Sequence, residues 1–277
     1  MPGHVPMEMA LLPGARRLLA LHASELPQRD DLCGAFCGAL ALGAAAIGER
    51  AGEPLDQDAV AVAAGSVVSG SRETGTLPFG ESGRRDYRLA IPEFEDSEVS
   101  GTTAAGVLDA IQSLSAGALS VIALRGPWSA ATLDGLFDLT VRLEHPVTLV
   151  ANFATRHLWG SRASPGQLLD YLIDGVQAGP PPDWDVGHFA CVVGRVSGPG
   201  GCLYAVADTY PALGNNGVHM QPQEALARAL ERRDMPAGGM LVVLAAEDAP
   251  SVRAGCAALG FSEGLWDNGS VSAGPAR

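Results

Sequence analysis

Between Leu32 and Gly48 the chain carries no charge and no proline, and nearly every side chain is small: Cys33-Gly-Ala-Phe-Cys37-Gly-Ala-Leu-Ala-Leu42-Gly-Ala-Ala-Ala-Ile47. Such a segment has no polar face to turn toward water, so it must be enclosed by the rest of the protein. Gly34, Gly38 and Gly43 lower its intrinsic helix propensity, so a helix here depends on tertiary packing, and the glycines let neighbouring segments come close. The run is too short, and too rich in glycine, to read as a membrane span. The expectation is a buried central helix from Cys33 to Arg50 with the remaining chain wrapped around it.

A polar, proline-started loop, Leu26-Pro-Gln-Arg-Asp-Asp31, leads into this helix. That places Cys33 at a helix start, where unpaired N–H groups and the helix dipole favour a thiolate. Gln28 stands five residues earlier, positioned to turn its amide toward the sulfur. A thiolate with a neutral amide donor beside it is half of an acyl-transfer site. Cysteine is also among the most buried residue types, so position alone leaves Cys33 open between core packing and chemistry. Cys37, one turn on among Ala and Gly, reads as core.

The chain of 277 residues is long enough for a substantial core, and 47% of it is apolar. A net charge of −13 argues against nucleic acid or an anionic membrane surface as partner. All eighteen basic residues are Arg, and with no Lys there is no lysine Schiff-base or P-loop chemistry. The five cysteines are odd in number and have no regular disulfide spacing. Pro13, Gly14, Arg16 and Arg17 interrupt the N-terminal apolar stretch, so no secretory leader is read and a reducing, cytoplasmic setting is the expectation.

Along the chain, the patterning predicts a short outer helix within Met7–His22, then the central helix, and a helix over Ala59–Val68 announced by Asp56 and Asp58. From Ser69 to Ser100 apolar periodicity is lost, as in a long flap or insertion. Further on come a helix to Leu114, a strand at Leu119–Leu124, a helix at Ala130–Leu143 and a strand at Val147–Asn152. A helix over Pro165–Val176 precedes the proline-rich loop 179–184. Gly187–Gly194 and Cys202–Ala207 read as a hairpin, followed by a helix at Pro222–Arg233, a strand at Met240–Ala245, a helix at Ala249–Leu259 and a polar tail. Helices cluster in the first half and strands in the second, which is the α+β pattern.

His188 begins the first strand of that hairpin, and Asp208 ends the second, so both are expected at one rim of a sheet. Either alone is also an ordinary rim or turn residue. Together with Cys33 they make a catalytic hypothesis. An imidazolium ~4 Å from a thiolate, at an effective dielectric of ~20, stabilises the pair by roughly 4 kcal/mol, and Asp208 would fix the ring's orientation.

The matching stretches, Gln28, Leu32-Cys33-Gly34-Ala-Phe-Cys37, Gly187-His188-Phe189 and Ala207-Asp208-Thr209, resemble those of papain-like cysteine peptidases, most of all the double-glycine leader peptidases of bacteriocin exporters and their stand-alone relatives. The similarity runs from Gln28 to about Leu230. It implies a papain-like fold in which an N-terminal helical half, carrying the nucleophile helix, packs on a C-terminal antiparallel sheet. The implied domain spans 1–277, with a core of about 24–246, an insertion at 69–100 and a C-terminal extension at 247–277. It also implies roles: Cys33 as nucleophile, His188 as general base and acid, Asp208 as orienting acid, and Gln28 with the Cys33 N–H as oxyanion donors. No cofactor or metal is implied. The sequence departs from the family pattern in a Gln–Cys spacing one residue short of six, in Leu32 where an acid is usual, and in Thr209 where proline is usual.

The expected activity is that of a cysteine hydrolase acting on a peptide or a small amide or thioester. Two alternatives stand beside it: an acyltransferase in which an amine captures the acyl-enzyme, as in phytochelatin synthases, and a catalytically silent papain-like module that binds a peptide or partner. Trp184 and Asp185, within Asp183-Trp-Asp185, are candidates for an aromatic, negatively charged substrate wall beside Gly187. His157 and Trp159 are candidates to line a cleft, and His145 and His219 read as solvated loop residues. Zinc on Cys33 and Cys37 with His22 or His188 lacks a visible four-ligand spacing. Oligomeric state is not legible.

Overall fold

The computed structural model describes residues 6–70 and 77–273. After β1 (Glu8–Leu11) and α1 (Ala15–Glu25) comes the central helix α2 (Cys33–Ala44), and every residue of it from Gly34 onward is buried. Its glycines are contact points. A Cβ on Gly34 would lie 3.0 Å from Thr102 Cβ and 3.3 Å from the Phe189 ring, and one on Gly38 would lie 2.9 Å from Val60 Cγ1. The helix ends earlier than Arg50. Ala46 turns to φ 66°, and a small hairpin, β2 (Glu49–Arg50) with β3 (Glu53–Pro54), takes the place of its last turn.

Asp56 caps α3 (Gln57–Ala64) by accepting from Ala59 N, and Gly65 closes it in the left-handed conformation. β4 (Val68–Ser69) and β5 (Glu93–Phe94) form a short parallel pair at the two ends of the expected insertion. Residues 71–76 of that insertion lie outside the described residues. The remainder is a strap against the Gln28 loop rather than a free flap. Arg84 N donates to Asp30 Oδ1 at 2.8 Å, Arg84 Nη1 to the Pro27 carbonyl at 3.1 Å, and Tyr87 Oη to the Asp30 carbonyl at 3.1 Å.

Thr103 caps α4 (Ala104–Leu114), which leads to β6 (Leu119–Arg125); a Ser129/Thr132 capping box starts α5 (Ala130–Thr140). β7 (Thr148–Ala154) is buried along its whole length, as befits a strand covered on both faces. A Ser164/Gln167 box and Pro165 start α6 (Pro165–Asp174). Then come β8 (Gly187–Gly198), β9 (Gly201–Ala207), β10 (Val218–Pro222), α7 (Gln223–Glu231), β11 (Gly239–Ala245), α8 (Ala249–Ala258) and β12 (Ser262–Glu263).

Among the described residues one mixed α/β body forms around an antiparallel sheet of eight strands. Seven run in the order β10-β9-β8-β7-β11-β6-β12, and β1 pairs with the far half of β8. The long strand β8 therefore has β7 beside its first half, with His188 opposite Phe153 and Phe189 opposite Asn152, and β1 beside its second. α2 lies against β8 and β7, and α5 reaches the sheet through Phe137, edge-on to Tyr204 at 5.8 Å.

Both ends of the described chain belong to this body. The extension expected at 247–277 is, as far as residue 273, part of the core: α8 packs on α5 and β6, β12 extends the sheet, and Trp266 is buried with its Nε1 donating to Asn152 at 3.0 Å. At the other end, Met7–His22 is not one outer helix. Its first part is β1, and the buried His22 points inward.

Candidate active site

β8 and β9 bring His188 and Asp208 to the same rim, and α2 presents Cys33 there from the helical side. His188 is 2% exposed, and its Nε2 donates to Asp208 Oδ1 at 2.9 Å. The Thr209 hydroxyl stands 3.3 Å from the same nitrogen, and the Cys33 side chain lies near the ring. Burial depresses the His188 imidazole. The charge and hydrogen bond of Asp208, with a further contribution from the nearby Cys33 sulfur, outweigh that and push it up to about 10. The imidazolium is therefore the favoured form through neutral pH. Burial works against the Asp208 carboxylate too, yet the positive charge and donors of His188, then of His219, hold it well below the usual carboxylate range.

The Asp208 carboxylate is saturated with donors. Oδ1 also accepts Thr209 N at 2.7 Å, and Oδ2 accepts His219 Nε2 at 3.1 Å. His219 is braced in turn: Gln221 Nε2 donates to its Nδ1 at 3.0 Å and to the Trp159 carbonyl at 2.8 Å, while Gln221 Oε1 accepts Trp159 N at 2.8 Å. The Asp208 backbone carbonyl accepts from His22 Nε2, whose imidazole burial pulls down. Three histidines thus converge on one aspartate. His219, expected to be solvated, is buried instead, because residues read as loop form β10 and pair with β9.

Gln28 sits in the same cluster at 3% exposure. Its backbone N–H donates to the Thr209 carbonyl at 2.9 Å, and the Thr209 hydroxyl donates to its side-chain Oε1. That bond fixes the amide and leaves Nε2 without a protein partner among the described residues. Thr209, the residue after Asp208, thus orients Gln28. Cys33 is half-buried, ahead of eleven enclosed helix residues, and no side chain caps the N-terminus of α2. Cys37 is buried beside Cys191, and burial pushes its thiol well up, as expected of a packing residue.

The remaining sequence candidates divide. Trp184 stands edge-on to the His188 ring at 5.0 Å, Tyr210 stacks on that ring at 6.4 Å, and Phe153 closes a third side at 6.0 Å. Gly187 is exposed beside them. Asp185 is exposed and paired with Arg156 at 2.7 Å. His157 is half-buried with no hydrogen bond among the described residues, in a single 3-10 turn. Trp159 is buried in a small second core with Tyr171, Leu172, Leu203 and Ala225, and it also lines a small pocket with Trp184, Leu213, Asp208 and His219. Tyr210 and Arg232 carry no signal in the sequence, His22 stands out there only as a possible zinc ligand and Thr209 only as the residue after Asp208; the strand alternation of Val218-His219-Met-Gln221 holds a local signal, with His219 and Gln221 on one face.

A family model matches residues 12–267, which is most of the chain. The chain belongs to a family of unknown function, DUF6885. The span that defines DUF6885 includes Gln28, Cys33, His188 and Asp208 and also reaches His22 and Trp266. No curated protein matches the sequence.

Proposed function

We propose that this protein is a cysteine hydrolase of papain-like fold, forming an acyl-enzyme on Cys33 from a peptide or a small amide or thioester. The observation that carries this reading is the His188–Asp208 bond. It uses Nε2, so the other ring nitrogen is left for the sulfur at the start of α2. Once the Cys33 proton is released, an imidazolium faces a thiolate. The sulfur attacks the substrate carbonyl, and the new oxyanion accepts from Gln28 Nε2 and the Cys33 N–H. His188 gives its proton to the leaving amine or thiol, then takes one from the water that hydrolyses the acyl-enzyme. Asp208, fixed by Thr209 N, His219 and the strand end, keeps the ring in place throughout.

Trp184, Tyr210 and Phe153 pack around the imidazole and restrict water to the face where substrate binds. A reducing, cytoplasmic setting suits the five free thiols. No helix among the described residues is long and apolar enough to cross a membrane.

The test is acylation by p-nitrophenyl acetate, followed by peptide mapping. The chain has no lysine to compete for the acetyl group. An acetyl group on Cys33 that forms and decays, and is absent from Cys33→Ala, supports the reading. Acetylation spread evenly over the cysteines, or on none, overturns it.

A further inference from the structure

Arg232 ends α7 in a left-handed backbone conformation, φ 45°, and its side chain runs into the protein beside the rim of the sheet. It is 3% exposed. Nη1 donates to Asn152 Oδ1 at 2.6 Å, and Asn152 Nδ2 donates to the His188 carbonyl at 3.3 Å. Nε is buried with no partner among the described residues. Among the described residues no carboxylate pairs with this guanidinium. Glu231, its chain neighbour, is taken by Arg233 at 3.1 Å, and Asp185 by Arg156. A buried cation without an anion is costly, and an anion brought to it from outside would offset that cost.

The position indicates where that partner would sit. A Cβ on Gly187 would lie 2.6 Å from Arg232 Nη2, so the guanidinium rests against the exposed backbone one residue before His188. Gly34 contacts Phe189 on the same strand, which brings Cys33, one residue toward the helix start, to the Gly187 end of β8. Burial lowers the Arg232 guanidinium to about 10, and Cys33 is the charge that pulls the other way. The other ionisable groups around Cys33 are already engaged or neutral: His188 and Asp208 with each other, Asp30 with Arg84 N, Asp31 with Ser69 N, while burial holds the phenol of Tyr210 and the thiol of Cys37 in their uncharged forms.

We propose that Arg232 forms an anion subsite beside Cys33 that selects acyl substrates carrying a carboxylate close to the reacting carbonyl. This rests on Cys33 being the nucleophile, and the test separates the two claims.

The full-length protein is alkylated in parallel with iodoacetate and iodoacetamide, and Cys33 is followed by peptide mass spectrometry. In each reaction the thiolate attacks the methylene carbon, an S–C bond forms and iodide leaves. Both reagents meet the same thiolate, so the ratio of their rates reports attraction for the carboxylate alone. The ratio at Cys33 is expected to exceed that for glutathione, to fall about tenfold in Arg232→Met, and to be largely retained in Arg232→Lys. Gly187→Ala, which displaces the guanidinium while keeping its charge, should lower the ratio without removing residue 232, so the test survives if Arg232→Met does not fold. Equal losses with both reagents, leaving the ratio unchanged, would make Arg232 only a counter-ion of the thiolate and overturn the subsite. Slow reaction of wild-type Cys33 with both reagents would instead overturn the nucleophile reading.

Discussion

His188 and Asp208 are joined through Nε2 and Oδ1 at 2.9 Å, with both side chains 2% exposed. An imidazole held in this way has one nitrogen committed to the acid, and Cys33 at the start of α2 is near enough to help raise it. The pair also carries a charge that depends on pH. The raised imidazole contributes stability that is complete below its ordinary value of 6.5 and is lost as pH rises toward about 10. The lowered carboxylate contributes stability that is complete above its ordinary value of 3.8 and is lost as pH falls below it.

Asp208→Asn should therefore remove a pH dependence as well as a bond. At pH 6 the variant is expected to be about 3 kcal/mol less stable than wild type, the usual cost of breaking a buried pair. The gap should narrow steadily between pH 6.5 and 10. Urea unfolding of both proteins across that range checks it, and a gap that does not change with pH counts against a buried imidazolium–carboxylate pair.

Gln28 and Thr209 make a second prediction. Gln28→Ala removes the side-chain oxyanion donor and should slow acylation of Cys33 by about 10²–10³. Thr209→Val leaves Gln28 present but releases its amide, so acylation should slow several-fold while stability falls by only about 1 kcal/mol. Acylation rates and thermal melts of the two variants separate these effects. Equal acylation rates in wild type and Gln28→Ala would remove the amide from the oxyanion hole.

His219 offers a third. It holds the second oxygen of Asp208, and Gln221 holds its other nitrogen. His219→Ala leaves that oxygen short of a donor in the interior and should destabilise by about 1–3 kcal/mol. Gln221→Leu should cost a similar amount, and the double variant less than the sum, because both remove one chain of bonds. Strict additivity in a double-mutant cycle would mean that the two side chains act independently.

Much of this was legible in the chain. Asp56, Thr103, Ser129 and Ser164 stand where local capping chemistry starts helices, and the expected helices begin within two or three residues of them. The small apolar run was readable as a buried helix because nothing else can be done with it, and the hairpin of β8 and β9 put His188 and Asp208 on one rim. What was missed depends on distant parts of the chain. β1 and β12 are short, and only the strands they pair with make them strands. The position of His219 follows from β10 joining β9, of which only the alternation from Val218 to Gln221 leaves a local trace, and that of Arg232 from the path of α7, which leaves none.

The C-terminal residues give a fourth prediction. They read as a polar tail, yet Trp266 is buried against Asn152 and β12 covers the edge of β6. Deleting 247–277 should expose that edge and empty the site of the indole, yielding an aggregating or unfolded product. Trp266→Phe keeps most of the volume and loses the Nε1 bond, and it should fold with about 1–2 kcal/mol less stability. A soluble, cooperatively folding deletion product would restore the view of this segment as an appendage.

The most direct measurement is the rate at which each of the five cysteines reacts with iodoacetamide at pH 7, in wild type and in His188→Ala. The account predicts that Cys33 reacts first in the wild type, well ahead of Cys37, Cys191, Cys202 and Cys256, and that His188→Ala slows Cys33 at least tenfold while leaving the others unchanged. Uniform, slow labelling of all five, or a Cys33 rate indifferent to His188, would contradict it.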